Sequence, residues 1–227
     1  MHEELTLDAA RTALLVIDLQ EEQRADPVSI AAGFDRVLAN SARLLAAARS
    51  RGMAVFHAAY VRDFSVRPPR PFEPRGADGG PSFSASTSPL VAICPEVAPI
   101  EGEVLLEKND ASAFEEGSLQ GRLEALGIEW LVVCGVWTEA CVAASVRDAI
   151  AGGFRVLLVK DACGSGTAAM HEVGILNLAN RLYGGGVTDT ARTEELLCGG
   201  RAKVWRTTAP VPFRFTYENA SSLYESL

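Results

Sequence analysis

The sequence predicts an α/β fold: a doubly wound, mostly parallel sheet with helices on both faces, a three-layer sandwich. Three observations point there. Aliphatic runs of strand length such as TALLVIDL and WLVVCG lack polar alternation, which marks strands covered on both sides. Those runs take turns with segments of helical period, the pattern of right-handed βαβ units. The 227 residues, 48% hydrophobic and 22% charged, are enough to bury one core without disulfide or metal staples. A single domain spanning 1–227 is therefore expected.

In chain order, Thr12 to Leu19 reads as the first strand, with Asp18 at its end. From Ile30 to Arg51, Phe34, Val37, Leu38, Leu44, Leu45 and Ala48 recur at helical spacing, and Gly52 follows as a stop. MAVFHAAY is a second strand. Between Arg62 and Glu103 lie eight of the eleven prolines, with GADGG and SFSASTS, so this stretch is expected to be a long surface excursion near the mouth of a pocket. Strand VLLEK, a helix over Ser118 to Leu126, strand WLVVCG, a helix over Thr138 to Ala151, strand RVLLVKD and a helix over Thr167 to Tyr183 follow. A short strand at Gly186 to Thr190 and the helix TEELL lead to a tail, residues 201–227. Its Trp205, Phe213, Phe215, Tyr217 and Tyr224 are too apolar for a free end, so packing on its own body or on a partner subunit is expected, with oligomerisation the leading reason.

Composition excludes several roles. A net charge of −8 argues against nucleic acid or an acidic membrane surface as partner. No apolar run reaches a membrane span and the acidic start MHEELTLDAAR lacks the features of a secretory signal, so a cytoplasmic protein is expected. The five cysteines, Cys94, Cys134, Cys141, Cys163 and Cys198, are odd in number and show no zinc spacing, so reduced thiols are expected.

In an open parallel sheet ligands bind beyond the carboxyl ends of the strands. Asp18, Lys108 and Asp161 close three strands there, and Cys141 follows a fourth, just inside a helix with Thr138 as its expected N-cap. Unpaired N–H groups and the helix dipole would favour a thiolate, and a nearby ammonium would favour it further. Each residue alone has an ordinary alternative: a small core cysteine, a loop-capping carboxylate, a solvated lysine. Their shared rim is what suggests nucleophile, base and cation.

The segments VIDLQ, EKNDASAF and CGVWTEACVAASVRDAIAGGFRVLLVKDACG resemble the isochorismatase-like cysteine hydrolases over roughly residues 12 to 200. The resemblance implies cleavage of a C–N bond in a small amide, ureide or carbamoyl compound through a thioester, with release of ammonia and no cofactor. It assigns the catalytic triad to Asp18, Lys108 and Cys141. It also implies a cis peptide between Val136 and Trp137, and an oxyanion hole built from the backbone N–H groups of Trp137 and Cys141. Isochorismatases proper cleave a vinyl ether without a cysteine nucleophile, so Cys141 favours the amidohydrolase branch. Ether hydrolysis and a non-catalytic binding or assembly role are the alternatives.

Two departures from the family pattern stand out. The metal-binding Asp-x-His of nicotinamidase-like members is absent, because the corresponding stretch reads HAAYVRDFSV, so no metal is expected. The aromatic residue common after the first-strand Asp is also missing from DLQEEQR. Substrate contacts are expected from Trp137, Tyr60, Arg62, Gln20 and Phe114, with core packing the competing role for Phe114 and loop capping for Gln20. His57 is read as a hydrogen-bonded core residue, Asp161 as a partner of the DACGSG turn and His171 as a surface or interface residue. The expected assembly is a homodimer or homotetramer.

Overall fold

The computed structural model describes residues 1–115, 117–207 and 209–227. Its eight strands are β1 (His2–Leu5), β2 (Thr12–Ile17), β3 (Ala54–Tyr60), β4 (Val104–Lys108), β5 (Trp130–Val136), β6 (Arg155–Gly164), β7 (Gly186–Thr188) and β8 (Ala202–Arg206). They form one sheet in the order β1-β8-β7-β6-β5-β2-β3-β4. The six strands from β7 to β4 pair in parallel, whereas β8 and β1 add an antiparallel edge. The chain starts its parallel sheet at β2, winds out through β3 to β4, then returns to the other side of β2 with β5. The crevice above β2 and β5 is thus the topological switch point, where a doubly wound sheet binds ligands.

Alternation along the buried strands explains the three layers. Ala13, Leu15 and Ile17 of β2 join one core cluster, while Leu14 and Val16 join the other. The first cluster is covered by α3 (Ser118–Ala125), α4 (Ala143–Ala151) and α5 (Ala168–Ala179), and the second by α2 (Phe34–Ser50) and α6 (Thr190–Leu197). Every residue of β2 is buried, which accounts for its unbroken apolar run. The short α1 (Glu22–Ala25) follows β2, and α7 (Ala220–Glu225) ends the chain. Among the described residues no helix is long and apolar enough to cross a membrane.

Four expectations change. First, β6 does not stop at Asp161. Its pairing with β5 shifts register between Val133 and Gly135, and the strand runs on to Gly164. Asp161 Oδ1 accepts from Thr190 N at 2.7 Å and Thr190 Oγ1 at 2.8 Å, so it anchors the start of α6 rather than the DACGSG turn.

Second, the tail is structured. It supplies β8 and α7, Phe213 stacks on Trp205 at 5.1 Å, and Asn180 holds the backbone of Phe213 through both its amide oxygen and its amide nitrogen. Phe213, Phe215, Leu223 and Tyr224 pack on the chain's own core, so their apolar character has an intramolecular explanation. Tyr217 is fully exposed.

Third, His171 is buried, not superficial. Thr138 Oγ1 donates to Gly164 O at 2.9 Å and lies 2.8 Å from His171 Nδ1, while Tyr224 OH lies 3.1 Å from Nε2. The single hydroxyl proton of Thr138 goes to Gly164, so Nδ1–H donates to Thr138 and Nε2 accepts from Tyr224. That neutral ring agrees with a pKa lowered to about 4, chiefly by burial. Fourth, Thr138 is therefore not a side-chain N-cap. Its hydroxyl points back to β6 and α5, and Trp137 occupies the cap position.

Candidate active site

Asp18 sits one residue beyond β2 with φ of +52°, the left-handed region that aspartate tolerates better than most residues. Its N–H donates to Ala58 O at 2.8 Å, so β3 fixes the backbone while the carboxylate turns into the crevice. Lys108 ends β4 and pairs in register with Tyr60 of β3. Its side chain reaches past that neighbour, with Nζ 4.7 Å from the centre of the Tyr60 ring, and donates to Asp18 Oδ2 at 2.9 Å. It also donates to Asp110 O at 3.2 Å. Among the described residues Asp18 Oδ1 makes no directed hydrogen bond and remains free as an acceptor.

Cys141 arrives from β5. The Val136–Trp137 peptide bond is cis, and the chain then enters a wide helical turn, Thr138–Val142, that continues into α4. The N–H groups of Ala140 and Val142 both donate to Trp137 O, at 3.0 and 3.2 Å. Just before this bend, Gly135 has φ of +126°, and a Cβ there would lie 2.0 Å from Ile17 O. Only glycine lets β5 approach β2 so closely at the crevice.

A cavity of about 430 Å³ opens over these residues. Val136, Trp137, Ala140 and Cys141 line it from the β5 side, Asp18, Glu22, Gln23, Val28 and Ser29 from the segment after β2, and Tyr60 from β3. Arg70, Phe83 and Ser84 of the excursion and Asp110 and Ala111 after β4 complete it.

The electrostatics follow from burial. Asp18 is raised above the usual carboxylate range, since loss of water outweighs the pull of Lys108. For Lys108 burial works to lower the pKa, but the charges of Asp18 and Cys141 outweigh it and hold the ammonium protonated. Burial, then the Asp18 charge, push the Cys141 thiol up, with Lys108 opposing only in part. Desolvation and the nearby anion outweigh what the lysine and the helix start provide, so the surroundings work against the expected thiolate.

Of the expected substrate contacts, Tyr60 and Trp137 line the cavity and the other three do not. Arg62 is 2% exposed, and its guanidinium grips both oxygens of Glu73 at 2.7 and 2.8 Å and the carbonyls of Arg67 and Pro68. It staples the excursion. Gln20 donates to Tyr60 O and Val91 O and accepts from Tyr60 N, which uses both its N–H donors and ties the buried amide to β3 and the excursion. Phe114 is buried against Phe154 in the core. His57 is fully buried with Nε2 2.9 Å from Glu103 Oε2, the core role expected of it.

Residues that sequence reasoning missed complete the pocket. Gln23 stands five places after Asp18 and accepts from Trp137 Nε1 at 2.7 Å, fixing the indole. Phe83 stacks on Tyr60 at 5.7 Å and supplies from the excursion an aromatic wall absent after the first strand. Glu22 is buried and accepts from Ser84 Oγ at 2.6 Å. The only available signal was their nearness to Asp18 or to the excursion's SFS.

The isochorismatase-domain family model matches residues 12–192. The chain belongs to the isochorismatase family. Across 195 residues this family member is 32% identical to maleamate amidohydrolase of Pseudomonas putida, covering 82% of this chain and 87% of that one. It is 29% identical over 208 residues to a ureidoacrylate amidohydrolase of Variovorax paradoxus, covering 78% of each. An isochorismatase from Pseudomonas putida KT2440, solved by crystallography, superposes with a TM-score of 0.67 at 28% identity, covering 82% of this chain and 92% of the other. The chain is thus an isochorismatase-family hydrolase on that family's α/β fold.

Proposed function

We propose that this hydrolase cleaves the C–N bond of a small amide, ureide or carbamoyl compound with Cys141 as nucleophile, releasing ammonia through a thioester. The observation that carries the reading is a buried Lys108–Asp18 ion pair at 2.9 Å whose carboxylate faces the same cavity as the Cys141 thiol. The named amidohydrolase relatives support it from the side of chemistry.

Asp18 Oδ1 takes the thiol proton as sulfur attacks the carbonyl carbon. Lys108 stays protonated and offsets the charge that sulfur and carboxylate share. The backbone N–H groups of Trp137 and Cys141 receive the oxyanion, a contribution typically about 100-fold or more in rate per donor. Collapse of the tetrahedral intermediate breaks C–N, and the proton held on Asp18 goes to the departing amine. Water then attacks the thioester with Asp18 as base, returning the acid and the thiol. Tyr60, Phe83 and Trp137 exclude bulk water from these steps.

The test is ammonia release from a panel of amides and ureides by wild type and Cys141→Ala, with intact-mass detection of an acyl adduct on Cys141 at early times. Turnover should require the sulfur, and the adduct should map to it. Undiminished hydrolysis by Cys141→Ala sinks the scheme.

A further inference from the structure

Four charged residues line the cavity: Asp18, Glu22, Arg70 and Asp110. Asp18 is paired with Lys108, and Arg70 Nη2 is committed to Asp110 at 2.8 Å. Glu22 alone among them has no opposite charge among the described residues. Its side chain is buried, lines the cavity, and is held through Oε1 by the Ser84 hydroxyl at 2.6 Å. The neighbour of Ser84 in the chain is Phe83, whose ring stacks on Tyr60, and Trp137 lines the same space.

A desolvated carboxyl without a cation is the most demanding group in this pocket. Burial raises its pKa, and the charge of Asp18 adds to that against the Ser84 hydrogen bond. A protonated amine would relieve all of this at once. It forms a charge-assisted hydrogen bond with the carboxylate and gains from the faces of the surrounding rings. A carboxylate in the same place would meet Asp18 and Glu22 as like charges, and the charge of Arg70 is already shared with Asp110.

We infer that Glu22 is a specificity-determining residue that receives a protonated amine of the substrate, so that the favoured class is small amides carrying a basic nitrogen a few bonds from the scissile carbonyl. This rests on the amidohydrolase reading above and narrows it.

Three amides of nearly matched length test it: β-alaninamide, butyramide and succinamate, with cationic, neutral and anionic ends. Their kcat/KM values are measured by ammonia release for wild type and Glu22→Gln, and their binding to Cys141→Ala by calorimetry. Wild type should favour β-alaninamide over butyramide by about tenfold or more, mainly through KM, and disfavour succinamate further. Glu22→Gln should remove most of that advantage. A preference for butyramide or succinamate, or an amine preference untouched by Glu22→Gln, overturns the inference. Selective binding of β-alaninamide to Cys141→Ala with no turnover by wild type would count against the amidohydrolase reading and for the Glu22 subsite. Equal binding of all three overturns the subsite whatever the turnover.

Discussion

Lys108 Nζ lies 2.9 Å from Asp18 Oδ2, with both side chains 3% exposed. A pair so thoroughly removed from water is costly to break from one side, because the remaining charge stays buried alone. Lys108→Met should therefore lose about 3–5 kcal/mol of unfolding free energy, read by urea titration. Asp18→Asn, which also removes the proton acceptor, should lower kcat by about 100-fold or more while still folding. Full activity in Lys108→Met would show that the cation has no part in turnover.

Because burial and then the Asp18 charge push the Cys141 thiol up, removal of Asp18 has an unusual signature. Wild-type Cys141 should react slowly with iodoacetamide near neutral pH and faster as pH rises. In Asp18→Asn the anion is gone and Lys108 remains, so alkylation of Cys141 should accelerate even as hydrolysis is lost. Peptide mapping at several pH values reads both rates. Rapid labelling of the wild type at neutral pH, slowed by Asp18→Asn, is the contrary result.

Gly135→Ala places a methyl group 2.0 Å from the Ile17 carbonyl oxygen, a backbone atom of the central strand that cannot step aside. The φ of +126° adds strain for any L side chain. Loss of soluble folded protein, or a large fall in Tm, is expected. A variant with wild-type Tm and activity would mean that β5 can retreat from β2.

Acid should loosen two anchors around the excursion. Burial works to raise Glu103, but Arg49, the Ile100 amide and His57 outweigh it and bring its pKa to about 2. The Arg62 hydrogen bonds bring Glu73 to about 2. A depressed carboxylate stabilises the fold above its unfolded pKa of roughly 4.5 and loses that contribution as pH falls towards 2. Glu103→Gln should thus have a lower Tm than wild type at pH 7, and the gap should close on descent to about pH 2.5. A gap constant with pH refutes the assignment.

The sequence by itself determined the parallel heart of the molecule. VLLEK spans Val104–Lys108 as expected, and WLVVCG and RVLLVKD mark the strands at Trp130–Val136 and Arg155–Gly164 within a few residues. The reason is local: a strand buried on both faces has to be apolar at every position, whatever its neighbours are. The same logic put Asp18, Lys108 and Cys141 on one rim, since the carboxyl ends of parallel strands point the same way.

Tertiary structure decided what depends on partners distant in the chain. Pairing of His2–Leu5 with Ala202–Arg206, itself docked on Gly186–Thr188, turns two weakly patterned ends into a sheet edge, because their hydrogen-bond partners lie far away in the chain. Glu73 occupies Arg62, and Tyr60 and Val91 occupy Gln20, through contacts that no local pattern encodes, while folding of the excursion over the crevice makes Glu22, Gln23 and Phe83 pocket walls. The protonation of Cys141 belongs here too. Composition names the thiol, but its charge is set by how much water and which ions the assembled crevice leaves beside it.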